Sequence, residues 1–426
     1  MSVFIILGLL IFGAHLFSFL FSKKRIPDVL FLVLIGIIVG PVLKWVSPES
    51  LSSVGGVFSS LTLLFILFDS GIDLKISQVQ KYWDGVFQIT ILSFVVSMFM
   101  AMGIAYLLGF DTKVALLLGA MLAGTSAAIV IPLTRQLAVS NRTVVLLTLE
   151  SAISGVLSIV VSLAIIESFE MGEMSFGILV GKVLASVLLA LVIGVVGGIV
   201  WASMLDRIRT IRNSMFLTPA FVFLLYGITE TLGYSGAIAS LAFGIVLGNV
   251  DYFEFSFLEK MRLQKMRPLE DNERSFFSEL VFVFKTFFFV YVGICIPFND
   301  AKMFLYGFLI AVGLYVARFV LIAIVGRHNT KQDRLVVSMM IPKGLVAAVL
   351  AAMPEQVNLS LGYNLIPWAS QLKSVAYAVI FFSICICSFL VILNRNKLGL
   401  GETSAADGVV LDGKADTYVD DKDGKI

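Results

Sequence analysis

Long apolar runs, separated by short polar connections, make up most of this chain. A helix that crosses a bilayer needs about 20 consecutive, mostly apolar residues. A window of that size predicts thirteen transmembrane spans, at 3–21, 28–47, 56–74, 84–108, 113–134, 142–167, 175–204, 214–232, 235–250, 275–297, 303–325, 334–352 and 370–393. The predicted fold class is therefore an all-α polytopic membrane protein.

The amino-acid composition argues against several classes of function. Hydrophobic residues make up 59% of the 426 positions and charged residues only 14%, against about 25% in soluble domains. We therefore expect no soluble enzyme, and His15 and His328 have no partners arranged for catalysis. The net charge of +2 gives no attraction to nucleic acid. The three cysteines lie in apolar runs and predict neither a metal site nor a cofactor.

The basic residues predict the orientation in the membrane. Cytoplasmic loops of membrane proteins carry an excess of Lys and Arg. Here alternate loops carry nearly all of them, beginning with Lys23, Lys24 and Arg25, which follow the first span. A secretion signal would carry such charges before its apolar stretch, so we expect 3–21 to be a membrane helix. The N-terminus is predicted outside and the C-terminus in the cytoplasm, across a cell membrane.

Two stretches are not predicted to span. Residues 251–274 alternate apolar with basic side chains, and two interpretations stay open: a helix lying in the membrane interface, or a plain basic loop. Residues 396–426 form a predicted cytoplasmic tail, which becomes rich in Asp, Gly and Lys. We expect disorder there, because so few large apolar side chains cannot offset the entropy lost on ordering.

Ionisable residues within the spans are candidate functional residues, because desolvating a charge in a bilayer is costly. They are Asp69, Asp73, Glu150, Glu230, Lys285, Arg318 and Lys343. An acid and a base buried in one bundle should pair, and Glu150 with Arg318 is the first choice. Such a pair could serve transport, or it could simply tie two helices together.

Two spans carry Gly and Pro near their middle. Span 5 contains Gly124, Thr125 and Ser126, with Pro132 beyond them, and span 12 contains the run Pro342-Lys343-Gly344. In transporters built from inverted repeats, corresponding helices are interrupted and their freed backbone groups face the substrate. We therefore expect spans 5 and 12 to be a crossed, discontinuous pair. The alternative is that these are ordinary membrane helices, in which Gly and Pro are also common.

Span 6 carries a stripe of small residues on one face: Thr148, Ser151, Gly155, Ser158 and Ser162. The hydroxyl oxygens of the serines and the threonine in this stripe could replace the water around a small cation. They could also simply let helices approach closely. Glu150 lies beside this stripe.

Several motifs resemble those of one family. They are Arg25-Ile26-Pro27-Asp28, Leu34-Ile35-Gly36-Ile37-Ile38-Val39-Gly40-Pro41, Phe68-Asp69-Ser70-Gly71, Gly124-Thr125-Ser126-Ala127-Ala128, Leu149-Glu150-Ser151-Ala152-Ile153-Ser154-Gly155, Phe287-Phe288-Phe289-Val290-Tyr291-Val292-Gly293 and Pro342-Lys343-Gly344-Leu345. In order and spacing they resemble the cation/proton antiporter superfamily, in its sodium/proton exchanger branch, over nearly all of residues 1–395.

The resemblance implies a thirteen-helix, inverted-repeat fold for residues 1–395. In that fold helices 1–3 and 8–10 form a dimerisation part, helices 4–6 and 11–13 an ion-transporting core, and helix 7 a linker. It implies exchange of sodium or potassium for protons by an elevator-like motion, in a homodimer within a lipid bilayer. It also implies the pairing of Glu150 with Arg318.

The chain departs from the family at two acidic positions. The family's ion-binding aspartate would fall at Gly155, and the acid of its helix-5 motif at Ser126. If Gly155 is natural, Glu150 would carry the exchangeable proton beside Arg318, while Thr125, Ser126, Ser151 and Ser154 supply neutral oxygens. Otherwise exchange should be lost, leaving a transport-inactive relative that acts as a sensor or interaction partner. A passive channel is a third possibility. Asp69, Lys285 and Lys343 are further candidates.

Overall fold

The computed structural model describes residues 8, 11–13, 15–16, 28–47, 52–135, 137, 139–170, 176–211, 214–253, 267–296, 298, 300–325 and 330–394. Most of span 1, the middle of the 251–274 stretch, and the 396–426 tail lie outside these residues. Within the described residues every regular element is helical. The main helices are α1 (Asp28–Ile37), α2 (Ser52–Asp73), α3 (Ile76–Leu107), α4 (Thr112–Ala123), α5 (Ala127–Arg135), α6 (Asn141–Glu170), α7 (Phe176–Arg209), α8 (Leu217–Thr231), α9 (Gly236–Gly248), α10 (Asp271–Ile294), α11 (Ala301–Val325), α12 (Lys331–Met339), α13 (Leu345–Leu361) and α14 (Ala369–Leu393).

These helices correspond to the predicted spans, with longer ends in several places. Eight of the described helical stretches are long and apolar enough to cross a membrane. Span 5 corresponds to α4 and α5 together, and span 12 to α12 and α13. A short π-helical turn, Ile38–Val42, extends α1 around Pro41. The membrane-protein fold class is confirmed, while the count of thirteen spans stays a prediction.

The helices pack in two groups. Helices α3–α6 pack mainly on one another and on α11–α14, and together we call these the core group. Helices α1, α2 and α7–α10 pack mainly on one another, and we call them the frame group. The groups meet chiefly where α13 lies against α2 and where α6 lies against α7, with smaller contacts of α13 on α10 and α14 on α1.

Glycines bring backbones into contact within the frame group. A Cβ atom added at Gly293 of α10 would lie 2.2 Å from the carbonyl oxygen of Val33 in α1. One added at Gly244 of α9 would lie 2.2 Å from the carbonyl oxygen of Phe68 in α2. Small residues allow this close approach in membranes, where packing replaces the hydrophobic effect between helices. A larger side chain at these positions would push the helices apart.

Candidate functional site

The first helix interruption separates α4 from α5. At Gly124 the backbone is extended, with ψ of 157°, and three residues pass before α5 begins at Ala127. The freed amides bond to α6: Gly124 N–H donates to Ser158 Oγ at 2.8 Å and Thr125 N–H donates to Ser154 Oγ at 3.2 Å. Ser158, which belongs to the small-residue stripe, and Ser154, which lies beside it, thus satisfy backbone groups that have no helical partner. Neither interpretation of the small-residue stripe included this role.

The second interruption, residues 340–344, lies against the first. Pro342 disfavours helical geometry in the residue before it, and its carbonyl oxygen accepts a hydrogen bond from Ser126 N–H at 2.9 Å. A Cβ atom at Gly344 would lie 2.2 Å from Ser126 Oγ, so glycine is required for this contact. The backbone N–H of Lys343 donates to Ser383 Oγ of α14 at 2.9 Å. The structure therefore shows two interrupted helices in contact at their breaks.

The side chain of Lys343 joins the two breaks. It is fully buried, and its Nζ donates to the carbonyl oxygen of Gly124 at 3.0 Å and to that of Ala123 at 3.4 Å. These carbonyls end α4, where the helix dipole is negative and helical partners are missing. A positive charge is therefore stabilised at this position, and here that charge is the ammonium of Lys343, from the second interruption.

Glu150 and Arg318 form a buried ion pair, as the sequence led us to expect. Each is 1% exposed, and the guanidinium donates to both carboxylate oxygens, at 2.5 and 2.7 Å. Arg318 also donates through Nε to the carbonyl oxygen of Val337 in α12, at 3.0 Å, and to the hydroxyl of Ser93 in α3. The bidentate geometry is the strongest form of such a pair.

Gly155 leaves space where the resemblance places an acid. A Cβ atom added there would meet only Val346 Cγ2, at the ordinary contact distance of 3.7 Å. Ser151 and Ser154 are buried on the same helix, and Ser151 Oγ donates to the carbonyl oxygen of Thr148. Thr125 Oγ1 lies 3.4 Å from Ser154 Oγ. Several of the expected neutral oxygens thus lie together around the first break.

Other sequence candidates lie elsewhere. Asp69 is half-buried on α2 and Lys285 lies on α10, so both belong to the frame group. The ammonium of Lys285 is 5.7 Å from the centre of the Phe282 ring. Sequence reasoning missed Ser93 and Ser383, which are buried in apolar helices. Buried hydroxyl groups are nearly always hydrogen-bonded, so a serine within an apolar helix is itself a signal of a polar contact. That signal would have identified both serines, though not their partners.

Comparisons with known proteins agree with this architecture. The chain matches the family of transmembrane sodium/hydrogen exchangers over residues 6–393. It is 24% identical over 363 residues to Na(+)/H(+) antiporter 1 of Methanocaldococcus jannaschii, which covers 81% of each chain. It is 26% identical over 305 residues to the ammonium/H(+) antiporter subunit AmhT of Alkalihalophilus pseudofirmus, covering 69% of this chain and 70% of that one.

A solved structure gives the same fold. That of the sodium proton antiporter MjNhaP1 from Methanocaldococcus jannaschii superposes with a TM-score of 0.75 at 21% identity. The superposition covers 96% of this chain and 99% of the other. With a family match from residue 6 to residue 393, the chain belongs to the sodium/hydrogen exchanger family.

Proposed function

We propose that this protein exchanges sodium ions for protons across a membrane, at the place where its two helix breaks meet. Family membership supports the reaction, and several relatives are named as sodium/proton antiporters. The observation that carries the site assignment is the Lys343 ammonium bound to the carbonyl oxygens at the end of α4. Carbonyls of unwound backbone are the groups that coordinate sodium in transporters with interrupted helices.

Sodium and the lysine ammonium compete for the same oxygens in this proposal. The carbonyls of Ala123 and Gly124 and the hydroxyls of Thr125 and Ser126 form a neutral ligand set. A sodium ion bound there displaces the ammonium, which leaves as the neutral amine after giving up its proton. One positive charge occupies the break in either state, so one sodium exchanges for one proton.

We assign the exchanged proton to Lys343 and a structural role to the Glu150–Arg318 pair. The sequence alone left two roles open for Glu150, as the proton carrier or as a structural partner of Arg318. However, both oxygens of Glu150 accept bonds from Arg318, so protonating the carboxylate would leave a buried guanidinium unbalanced. Lys343 bonds through Nζ to neutral carbonyls, and its deprotonation leaves the Glu150–Arg318 pair intact.

The division into two packing groups supports a proposal for alternating access. We propose that the core group moves against the frame group like an elevator, with α7 as the linker and the frame group forming the interface of a homodimer. The outside N-terminus and cytoplasmic C-terminus, in the plasma membrane, belong to the same proposal. Potassium, which the resemblance also allows, is named for none of the relatives given above.

The exchange reaction is tested with purified protein in vesicles. A sodium gradient should drive proton flux through the unaltered chain, and Lys343→Met should abolish that flux because no titrating cation remains at the break. Lys302→Met, which removes an exposed lysine at the start of α11, is the matched control and should keep it. Full flux in the Lys343→Met variant would exclude Lys343 as the carrier.

A transport-inactive relative is the second candidate, because neither Gly155 nor Ser126 offers a carboxylate. The Gly155→Asp variant separates the two candidates, since the structure has space for its Cβ atom. It is compared with the unaltered chain in the same vesicles, and Gly155→Ala controls for the added Cβ atom alone. Flux in the Gly155→Asp variant only would show that the unaltered chain is inactive, whereas robust flux in the unaltered chain supports the Lys343 site.

A further inference from the structure

The connection between α2 and α3 joins the frame group to the core group. It consists of two residues, Leu74 and Lys75, between the end of α2 at Asp73 and the start of α3 at Ile76. Lys75 has extended backbone geometry, with φ of −87° and ψ of 117°. Any motion of one group against the other must be accommodated at such connections.

The amide of Asn249, just beyond α9, holds this connection on both sides. Its Oδ1 accepts from Ile76 N–H at 2.9 Å, and its Nδ2 donates to the carbonyl oxygen of Leu74 at 2.8 Å. Nδ2 also donates to the carbonyl oxygen of Ile245 at 2.7 Å, which fixes the amide on α9 itself. One side chain thus bonds the last turn of α9, the connection, and the first residue of α3.

The helix that precedes Asn249 is firmly placed on α2. A Cβ atom at Gly248 would lie 2.2 Å from the carbonyl oxygen of Ile72, so the two backbones are in contact. Lys75 Nζ donates to the carbonyl oxygen of Gly248 at 2.7 Å. Burial lowers the pKa of Lys75, and the charge of Arg274 lowers it further, whereas the amide of Asn249 does not titrate.

We propose that Asn249 is a positioning residue for exchange, which holds the α2–α3 connection against α9 so that α3 turns about a fixed point at Ile76. The inference rests on the proposed function, because it assigns the connection a part in the movement of the core group. Asn249 lies outside the helix breaks, so losing it should slow the movement and leave sodium binding unchanged.

The chain offers a matched control. Asn358 also bonds a connection through both ends of its amide: its Nδ2 donates to the carbonyl oxygen of Ile366 and its Oδ1 accepts from Ile366 N–H, both at 2.9 Å. These two hydrogen bonds stabilise the connection between α13 and α14, which both belong to the core group. Losing them should not affect movement between the groups.

The experiment compares Asn249→Ala, Asn249→Asp and Asn358→Ala with the unaltered chain in vesicles. We expect Asn249→Ala to lower the maximal exchange rate about tenfold, a modest change in barrier, with an unchanged sodium dissociation constant. Asn249→Asp keeps the acceptor for Ile76 N–H and loses both donated bonds, so its exchange rate should lie between those of Asn249→Ala and the unaltered chain. It replaces the alanine variant in the experiment if that variant does not fold. Asn358→Ala should exchange at the unaltered rate.

Hydrogen exchange of the 74–80 segment provides a readout that does not depend on transport. It should accelerate in Asn249→Ala and stay unchanged in Asn358→Ala. An unaltered transport rate in Asn249→Ala, or an equal loss in Asn358→Ala, would overturn the proposal. If the unaltered chain moves no protons, the proposed function fails. The contacts of Asn249 with the α2–α3 connection are then tested separately, and unchanged protection of the 74–80 amides in Asn249→Ala would overturn their role.

Discussion

The guanidinium of Arg318 shows how a single residue organises the membrane interior. It extends from α11 to Glu150 on α6, to Ser93 on α3 and to the Val337 carbonyl on α12. A buried charge is tolerated when its partners are complete, and removing one partner is more harmful than removing both. These contacts hold four helices around the breaks, which is why we assign the pair a structural role.

Unpairing this guanidinium should destabilise the protein. Glu150→Gln leaves Arg318 buried without a carboxylate, and we expect a loss of about 3–5 kcal/mol in the free energy of unfolding. Adding Arg318→Met should restore part of that loss. Glu355→Gln, which breaks the partly exposed pair with Lys373, is the control and should cost at most about 1 kcal/mol. Thermal unfolding in detergent measures these variants beside the unaltered chain, and equal losses for the two single glutamine variants would contradict the role of the buried pair.

The broken helices are the elements on which the site depends, and their contact requires a glycine. At Gly344 a Cβ atom would lie 2.2 Å from Ser126 Oγ and 2.7 Å from Ser126 Cβ. Overfilling a packed interior costs about 1–3 kcal/mol. The two breaks can therefore stay together only while position 344 has no side chain.

Gly344→Ala should separate the breaks and reduce exchange, because Ser126 would have to move. The added change Ser126→Gly removes both clashing atoms and should recover part of the thermal stability. Gly155→Ala is the control, since its Cβ atom would meet only Val346 at 3.7 Å. Proton-flux assays and thermal unfolding would show the difference; an equally harmful Gly155→Ala would indicate that the steric explanation is incorrect.

Much of this arrangement could be predicted from local sequence. Gly124 and the Pro342-Lys343-Gly344 run marked both interruptions, and desolvation pointed to Glu150 with Arg318. The sequence could not show that Lys343 bonds to the end of α4, because residues 124 and 343 meet only through folding. The partners of Ser158 and Ser383 escaped for the same reason. The sequence also could not decide between a transport role and a structural role for Glu150, because the bidentate bonding of its carboxylate by Arg318 is visible only in the structure.

At the scale of the whole molecule, two packing groups meet chiefly where α13 lies on α2 and α6 lies on α7. The core group contains both breaks, Lys343 and the Glu150–Arg318 pair, so the whole proposed site would move as one unit in the proposed elevator motion. In the proposed cycle the core group carries one positive charge in each direction, as sodium or as the ammonium.

Exchange should therefore be electroneutral. A membrane potential imposed across the vesicles should leave the sodium-driven proton flux unchanged, because no net charge moves in a complete cycle. The control is the same assay with the potential collapsed by an ionophore, and it should give the same flux. A flux that rises or falls steeply with potential would rule out exchange of one sodium for one proton.

The hydroxyls of Ser154 and Ser158 stabilise the first helix interruption. They accept the hydrogen bonds of the Gly124 and Thr125 amides, which the interruption would otherwise leave unmet in hydrocarbon. The interruption between α4 and α5 is thus stabilised by hydroxyl groups of the protein itself. In the proposed exchange, the break therefore keeps its backbone geometry whether sodium or the Lys343 ammonium occupies the carbonyl oxygens.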